Sequence, residues 1–153
     1  PGTDGYSVIV DYAHTPEALR TVLHSVRELT TGRIIVVFGC GGDRDTGKRA
    51  EMGRVVEELA DAAFVTSDNP RTEDPEAIIA DVLSGMTGGN CDVVSIVDRA
   101  VAIESAISAA GSADIVVIAG KGHEPYQEIA GEFLAFSDVE VARDAVTRRS
   151  GSR

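Results

Sequence analysis

Two hydrophobic rhythms alternate along the chain. Short apolar runs such as Arg33–Phe38 (RIIVVF) and Asp114–Ala119 (DIVVIA) are unbroken, as in strands covered on both faces. Ser7–Asp11, Ala62–Thr66 and Cys91–Val97 read as further strands. Between them lie helical segments with recognisable starts. Thr15 is placed as an N-cap with Pro16 at the first helical position. Further helices are predicted from about Lys48 to Ala60, Pro75 to about Met86, and Arg99 to Ala110. After the fifth strand the pattern changes. Gln127–Ile129 and Glu132–Phe136 flank Gly131 as a hairpin or an antiparallel edge strand. Ser137 and Glu140 form a capping box for a last helix, and the polar tail Arg148–Arg153 is expected to fray. The expected architecture is α/β: a Rossmann-like, doubly wound, mostly parallel sheet of about six strands with an antiparallel element near the C-terminus.

That architecture makes a prediction about location, because ligands of open α/β sheets bind outside the carboxyl ends of the strands. Here those ends are Asp11–His14, Gly39–Asp45, Asp68–Arg71, Asp98 and Gly120–Glu124. The unusual polar clusters of the sequence therefore share one rim. Asp68-Asn69-Pro70-Arg71 sets an acid, an amide and a guanidinium around a proline that fixes its own φ and restricts Asn69. Such a corner suits a ligand carrying ammonium and carboxylate together; it also reads as an ordinary strand-to-helix turn. The loop from Gly39 to Asp45 imitates two nucleotide motifs and completes neither. A dinucleotide fingerprint needs a third glycine where Arg44 stands, and a phosphate-binding loop needs a hydroxyl where Arg49 follows Lys48. The better reading is a Gly-rich turn presenting Arg44, whose natural partner is a carboxylate. Gly120-Lys121-Gly122-His123-Glu124 permits close backbone approach and supplies Glu124 as an acceptor for an ammonium group; a solvated turn is the alternative. His14, ahead of a helix, could approach a phosphate, or Asp11 and His14 could simply satisfy loop backbone groups. No nucleophile–base pair stands out. The rim reads as built to hold a zwitterion.

Composition narrows the partners. The chain has 153 residues, a 43% hydrophobic content, and 25 acids against 14 bases, for a net charge of −11. Length fits one domain, and the acidic balance argues against nucleic acid or an anionic membrane. Two cysteines, Cys40 and Cys91, fit a reducing cytosol. No apolar run approaches the ~20 residues that span a bilayer. The first residue is Pro1, so a piece of a longer chain is expected.

Asp11–Leu19 (DYAHTPEAL), Phe38–Arg49 (FGCGGDRDTGKR), Ser67–Pro75 (SDNPRTEDP) and Gly120–Gln127 (GKGHEPYQ), in this order, resemble the Mur ligases across essentially the whole chain. The resemblance is to the C-terminal domain of this three-domain family, and within it to members that add the third residue of the peptidoglycan stem peptide. It implies that the UDP-binding N-terminal domain and the central ATPase domain lie elsewhere, with the Walker loop, the principal magnesium ligands and a carbamylated lysine. It further implies an acid–amino-acid ligase using ATP and Mg2+, acting on UDP-MurNAc-L-Ala-D-Glu through an acyl phosphate. In such a protein this domain packs on the central domain, and alone it is inactive.

By the same resemblance Arg44, Asp68, Asn69, Pro70, Arg71, Gly120 and Glu124 hold the amino acid, while Asp11 and His14 face the nucleotide. A DNPR corner marks family members that use meso-2,6-diaminopimelate; lysine-using members replace its arginine. Diaminopimelate has a second carboxylate at its far end, which Arg71 can pair bidentately. Lysine would leave that guanidinium unpaired, at a cost of roughly 1–3 kcal/mol. The resemblance assigns no contact to Lys121 or His123. A lysine-adding ligase domain and a non-catalytic, stand-alone binding module are the competing readings.

Overall fold

The computed structural model describes residues 5–151. Five parallel strands form the main sheet: β1 (Ser7–Asp11), β2 (Ile34–Phe38), β3 (Ala62–Val65), β4 (Asp92–Ser95) and β5 (Ile115–Ala119), in spatial order β1-β5-β2-β3-β4. Helices α1 (Pro16–Arg27), α2 (Gly47–Leu59) and α3 (Pro75–Leu83) connect the first four strands. Helix α4 (Arg99–Ala109) returns the chain from the β4 edge to the gap between β1 and β2. Because the direction of winding reverses there, right-handed crossovers put α4 on the opposite face. The two cores follow that division. Leu19, Leu23, Met52, Val56 and Ile79 pack on one face against Val36, Phe38 and Val117. Ala102, Ile103 and Ile107 pack on the other against Ile35, Val37 and Ile118. Successive strand residues alternate between the two, and β2 and β5 are buried throughout because neither face meets water.

The α/β, doubly wound expectation holds. The antiparallel element is a separate hairpin, β6 (Tyr126–Ile129) with β7 (Glu132–Ala135), rather than a sixth strand of the sheet. Its job is to stand over the rim, where Arg71 makes an isolated parallel bridge to Ile129. Thr15 Oγ1 caps α1 by accepting from Ala18 N at 3.1 Å, and Ser137 Oγ accepts from Glu140 N at 3.2 Å. The tail does not fray where expected: α5 (Asp138–Gly151) carries helix through Arg148 and Arg149. Arg149 stays ordered over the Tyr6 ring, 4.4 Å from its centroid, and donates to the Ile107 carbonyl. The last two residues of the tail lie outside the described residues. Strand β5 begins after Asp114, because that carboxylate is occupied with the N–H groups of Gly111 and Arg33 at 2.8 and 2.7 Å.

Candidate functional site

The carboxyl rim encloses a cavity of about 330 Å³. Arg44, Asp68, Asn69, Arg71, Gly120 and Glu124 line it together with His14, so residues 110 positions apart in sequence converge. Tyr12, Gly39, Cys40, Gly41 and Lys48 complete it, and none of these was expected to hold a ligand. Pro70, Asp98 and Asp11, all expected on the rim, do not line the cavity. Asp98 is the N-cap of α4, its Oδ1 accepting from Val101 N at 3.2 Å. Asp11 turns its Oδ2 back onto Ala13 N at 2.8 Å, which shapes the loop carrying His14. A groove of about 500 Å³ lies at the opposite rim between His24, Arg27, Glu58 and Asp61, where the connecting segments bring ordinary surface side chains.

The corner is aimed by its neighbours. Arg71 sits at φ 54°, a left-handed conformation costing a non-glycine residue about 1–2 kcal/mol. The hairpin holds it there: Arg71 N donates to Glu128 O at 2.9 Å, and Ala130 N donates to Arg71 O at 2.7 Å. Gln127 Nε2 donates to Asp68 O at 2.8 Å, fastening the start of the same corner. The guanidinium is oriented by Nη1 donating to Gly42 O at 2.8 Å, with Glu128 Oε1 at 3.6 Å from Nε. One Nη1 hydrogen is thereby used. The second Nη1 hydrogen and both on Nη2 make no hydrogen bond among the described residues.

The Gly-rich loop is locked to this corner from the other side. Gly42 N donates to Asn69 O at 2.8 Å, and a Cβ at Gly42 would lie 1.8 Å from Pro70 O. Only glycine lets the two backbones approach so closely. Thr72 Oγ1 donates to the Asp43 carboxylate at 2.8 Å. Arg49, 1% exposed, donates to Glu73, Asp81 and the Gly41 carbonyl, tying α2, α3 and both loops. Hydrogen bonds to Glu73, then those to Asp81 and both charges, outweigh burial and hold the Arg49 guanidinium above its ordinary value. Arg44 extends from this loop with Nη1 donating to Asp43 O at 2.9 Å. Lys48 Nζ donates to His14 O at 3.3 Å, and Tyr12 meets the His14 ring edge-on at 4.7 Å.

Two buried cations lie behind the acidic wall. Lys121 is 0% exposed; its Nζ is 2.8 Å from Asn69 Oδ1, 2.8 Å from Glu124 Oε1 and 3.3 Å from Asp68 Oδ1. Asn69 Nδ2 donates to the same Glu124 Oε1 at 2.8 Å. Burial pushes the Glu124 carboxyl up, but the bonds from Lys121 and Asn69 and the charges of Lys121 and Arg71 outweigh it and hold the group below the usual range. Arg99 donates to Ser67 O and Ala119 O at 3.0 Å each and clasps Asp138 through Nε and Nη2 at 2.8 and 2.7 Å. It thus pins together the last carbonyls before Asp68 and before Gly120. Cys40 on the cavity floor is no nucleophile, since burial and the Asp68 charge push its thiol up to about 12. Burial likewise pushes Cys91 up to about 11.

Chemically, this cavity is lined by both carboxylates (Asp68, Glu124) and guanidinium groups (Arg44, Arg71), with no general base aimed at a nucleophile among the described residues. Residues 1–122 match the family described as Mur ligase, glutamate ligase domain. The chain belongs to the Mur ligase family. Over 144 residues it is 56% identical to the UDP-N-acetylmuramoyl-L-alanyl-D-glutamate–2,6-diaminopimelate ligase of Xanthomonas campestris pv. campestris, covering 94% of this chain and 29% of that protein. The like-named ligase of a Nostoc species is 56% identical over 143 residues, with the same coverage. The chain therefore spans under a third of the length of the curated relatives it matches. A solved structure of such a ligase superposes with a TM-score of 0.90 at 46% identity, over 96% of this chain and 30% of that one. A folylpolyglutamate synthase/dihydrofolate synthase from Yersinia pestis superposes at 0.57 with 20% identity, over 93% of this chain and 28% of that one, a likeness of fold alone.

Proposed function

We propose that this chain is the C-terminal, amino-acid-binding domain of a three-domain, cytoplasmic ligase that adds meso-2,6-diaminopimelate to UDP-MurNAc-L-Ala-D-Glu in peptidoglycan synthesis. The observation that carries the reading is the Arg71 guanidinium, held on Gly42 O and lining one cavity with Arg44, Asp68 and Glu124. Diaminopimelate carries a carboxylate and an ammonium group at each end. Arg71 pairs with its far carboxylate and Arg44 with the other, while Asp68 and Glu124 receive ammonium. Pro70 and Gly120 shape the backbone between them. The relatives' printed names agree with that choice of amino acid.

In the reaction proposed, ATP phosphorylates the D-glutamate carboxylate and an amino group of the bound amino acid attacks the acyl phosphate. Phosphate then leaves the tetrahedral intermediate. This domain contributes placement rather than bond-making, which a well-oriented nucleophile rewards strongly. His14, on the loop that Asp11 shapes, forms with Tyr12 and Lys48 the side of the cavity turned toward nucleotide. Among the described residues no group of three or more His, Cys, Asp or Glu is placed to hold a metal ion. Magnesium and the ATP phosphates are assigned to the central domain, on which this rim packs. No helix of the described residues is long and apolar enough to cross a membrane.

The test is Arg71→Ala in the full-length ligase. The KM for diaminopimelate should rise roughly 10- to 100-fold while the KM for ATP changes little, the loss expected for one charged hydrogen-bonding partner. Unchanged diaminopimelate kinetics would sink the assignment. The 153-residue chain alone should release no phosphate in the ligase assay.

A further inference from the structure

The lysine of the Gly120–Glu124 loop has no part in the function just proposed, yet it is the most enclosed charge at the site. Its ammonium has three hydrogens and faces three acceptors: Asn69 Oδ1, Glu124 Oε1 and Asp68 Oδ1. With those bonds made, and with no exposed surface, Lys121 has nothing left to offer a ligand. Its effect on any ligand must pass through the groups it holds.

Those groups are thereby committed one oxygen at a time. Glu124 Oε1 receives both Lys121 and Asn69 Nδ2, so only Oε2 remains for a ligand. Asn69 Oδ1 receives both Lys121 and Glu128 N, which leaves the amide a single spare N–H. Asp68 turns Oδ1 to Lys121 and Oδ2 toward Gly120, whose φ of 114° brings the backbone beside it. Two carboxylates with one internal cation carry a net single negative charge, the complement of one ammonium group. Without the lysine the same wall would carry two adjacent negative charges, which disfavour one another's ionised form.

We infer that Lys121 is the positioning residue of the amino-acid subsite: it turns Asp68 Oδ2 and Glu124 Oε2 outward and matches the wall to one ligand ammonium group. This rests on the amino-acid-binding reading above and adds to it the group that sets the acceptors' direction and charge. The charged and titratable groups around the acidic pair are Arg71 from the corner, Arg99 from α4, Tyr126 and Glu128 from β6, Cys40 from the floor, and Arg44, Lys48 and His14 in the cavity lining. Guanidinium groups keep their proton over any usable pH. A pH response that appears only when Lys121 is replaced therefore belongs to the wall that it holds.

The experiment measures kcat and the KM values for diaminopimelate and ATP in the full-length ligase between about pH 6 and about pH 8, for wild type, Lys121→Met, Lys121→Gln and Lys121→Arg. Lys121→Met should raise the diaminopimelate KM roughly 10- to 100-fold, leave the ATP KM within about twofold, and make the diaminopimelate KM climb as pH falls. In wild type, with the lysine in place, the KM should be flat over that range. If the methionine variant does not accumulate folded, the other two decide. Arginine keeps charge and donors and should restore a flat profile, whereas glutamine should not. Wild-type turnover with a Lys121→Met KM within about twofold of normal overturns the inference alone. So does a loss confined to kcat, or an arginine variant with the same pH response as glutamine. Absence of diaminopimelate-dependent turnover in wild type overturns the functional reading, and this inference with it.

Discussion

Replacing Asp138 by Asn tests whether the rim depends on the buried clasp beneath it. Arg99 and Asp138 are both 0% exposed in their side chains and share two hydrogen bonds. Burial opposes the Arg99 charge, but the bonds and charge of Asp138, with Asp68 and Glu124 further off, hold the guanidinium above its ordinary value. Asn keeps the shape and one acceptor oxygen, yet it presents an NH2 to a guanidinium that cannot shed its proton. Breaking one partner of a buried pair typically costs 3–5 kcal/mol, and the retained acceptor places this change near the lower end, about 3 kcal/mol. That is a loss of roughly 150-fold in the folding constant, and about 6–12 °C in Tm for a chain this size. It remains within the 5–15 kcal/mol of a typical domain, so the variant should fold. Urea unfolding of the 153-residue chain reads it out, with Glu58→Gln as comparison. The Arg20–Glu58 pair is 46% and 50% exposed, and its loss should cost under about 1 kcal/mol. Amide exchange at Gly120, bonded to Asp11 O at 3.1 Å, should quicken as well, because Arg99 also holds Ala119 O. An Asp138→Asn cost below about 1 kcal/mol, indistinguishable from Glu58→Gln, would refute the reasoning.

Two further outcomes follow from the same geometry. Gly42→Ala would set a Cβ 1.8 Å from Pro70 O, forcing the two rim loops apart. It should cost about 2–3 kcal/mol and abolish diaminopimelate binding in the full-length ligase; an unchanged urea midpoint would contradict this. Asp114 is pushed up by burial, but the N–H groups of Gly111 and Arg33 and the Arg33 guanidinium outweigh that and lower it. A lowered carboxyl stabilises fully above its unfolded value, about pH 4, and loses that contribution as pH falls through the folded value. Asp114→Asn should therefore destabilise at pH ~7, with the gap from wild type narrowing below about pH 4 in urea titrations. A gap that widens on acidification would show the sign to be wrong.

Much of the fold was legible because its signals are local. The continuous runs in β2 and β5 can be satisfied only in a strand covered on both sides, and Thr15-Pro16 and Ser137 through Glu140 start helices by side-chain chemistry alone. Strand ends then placed the polar loops on one rim, and the cavity gathers Arg44, Asp68, Asn69, Arg71, Gly120 and Glu124 as expected. Asp98 misled because an acid after a strand serves equally as a site residue or as a cap, and only the direction of its side chain separates the two. Lys48 and Tyr12 were passed over. Lys48 read as the start of a helix and Tyr12 as part of a strand end, and neither position shows in sequence that its side chain lines the cavity.

The cations behind the rim were illegible for a deeper reason. Lys121, Arg99 and Arg49 are the buried basic residues among those described, and in sequence they resemble the exposed bases around them. Burial of a charge is decided by which acceptors the tertiary fold assembles: besides nearby Glu124, Lys121 needs Asn69, 52 positions away, while Arg99 needs Asp138 at 39 and Arg49 needs Glu73 at 24. One weak signal existed. Arg99 opens α4 and Arg49 stands in the first turn of α2, at helix ends where the aligned peptide dipoles disfavour positive charge. A base in that position needs a specific anion to offset the penalty, and each has one, in Asp138 and in Glu73 with Asp81. Lys121 carries a different mark: glycines on both sides at φ 114° and 54° let the chain turn its side chain inward at the end of a buried strand. An acidic chain that places its buried bases behind one set of loops counter-charges those loops from within. The outward oxygens of Asp68 and Glu124 can then meet a ligand cation without first having to be separated from each other.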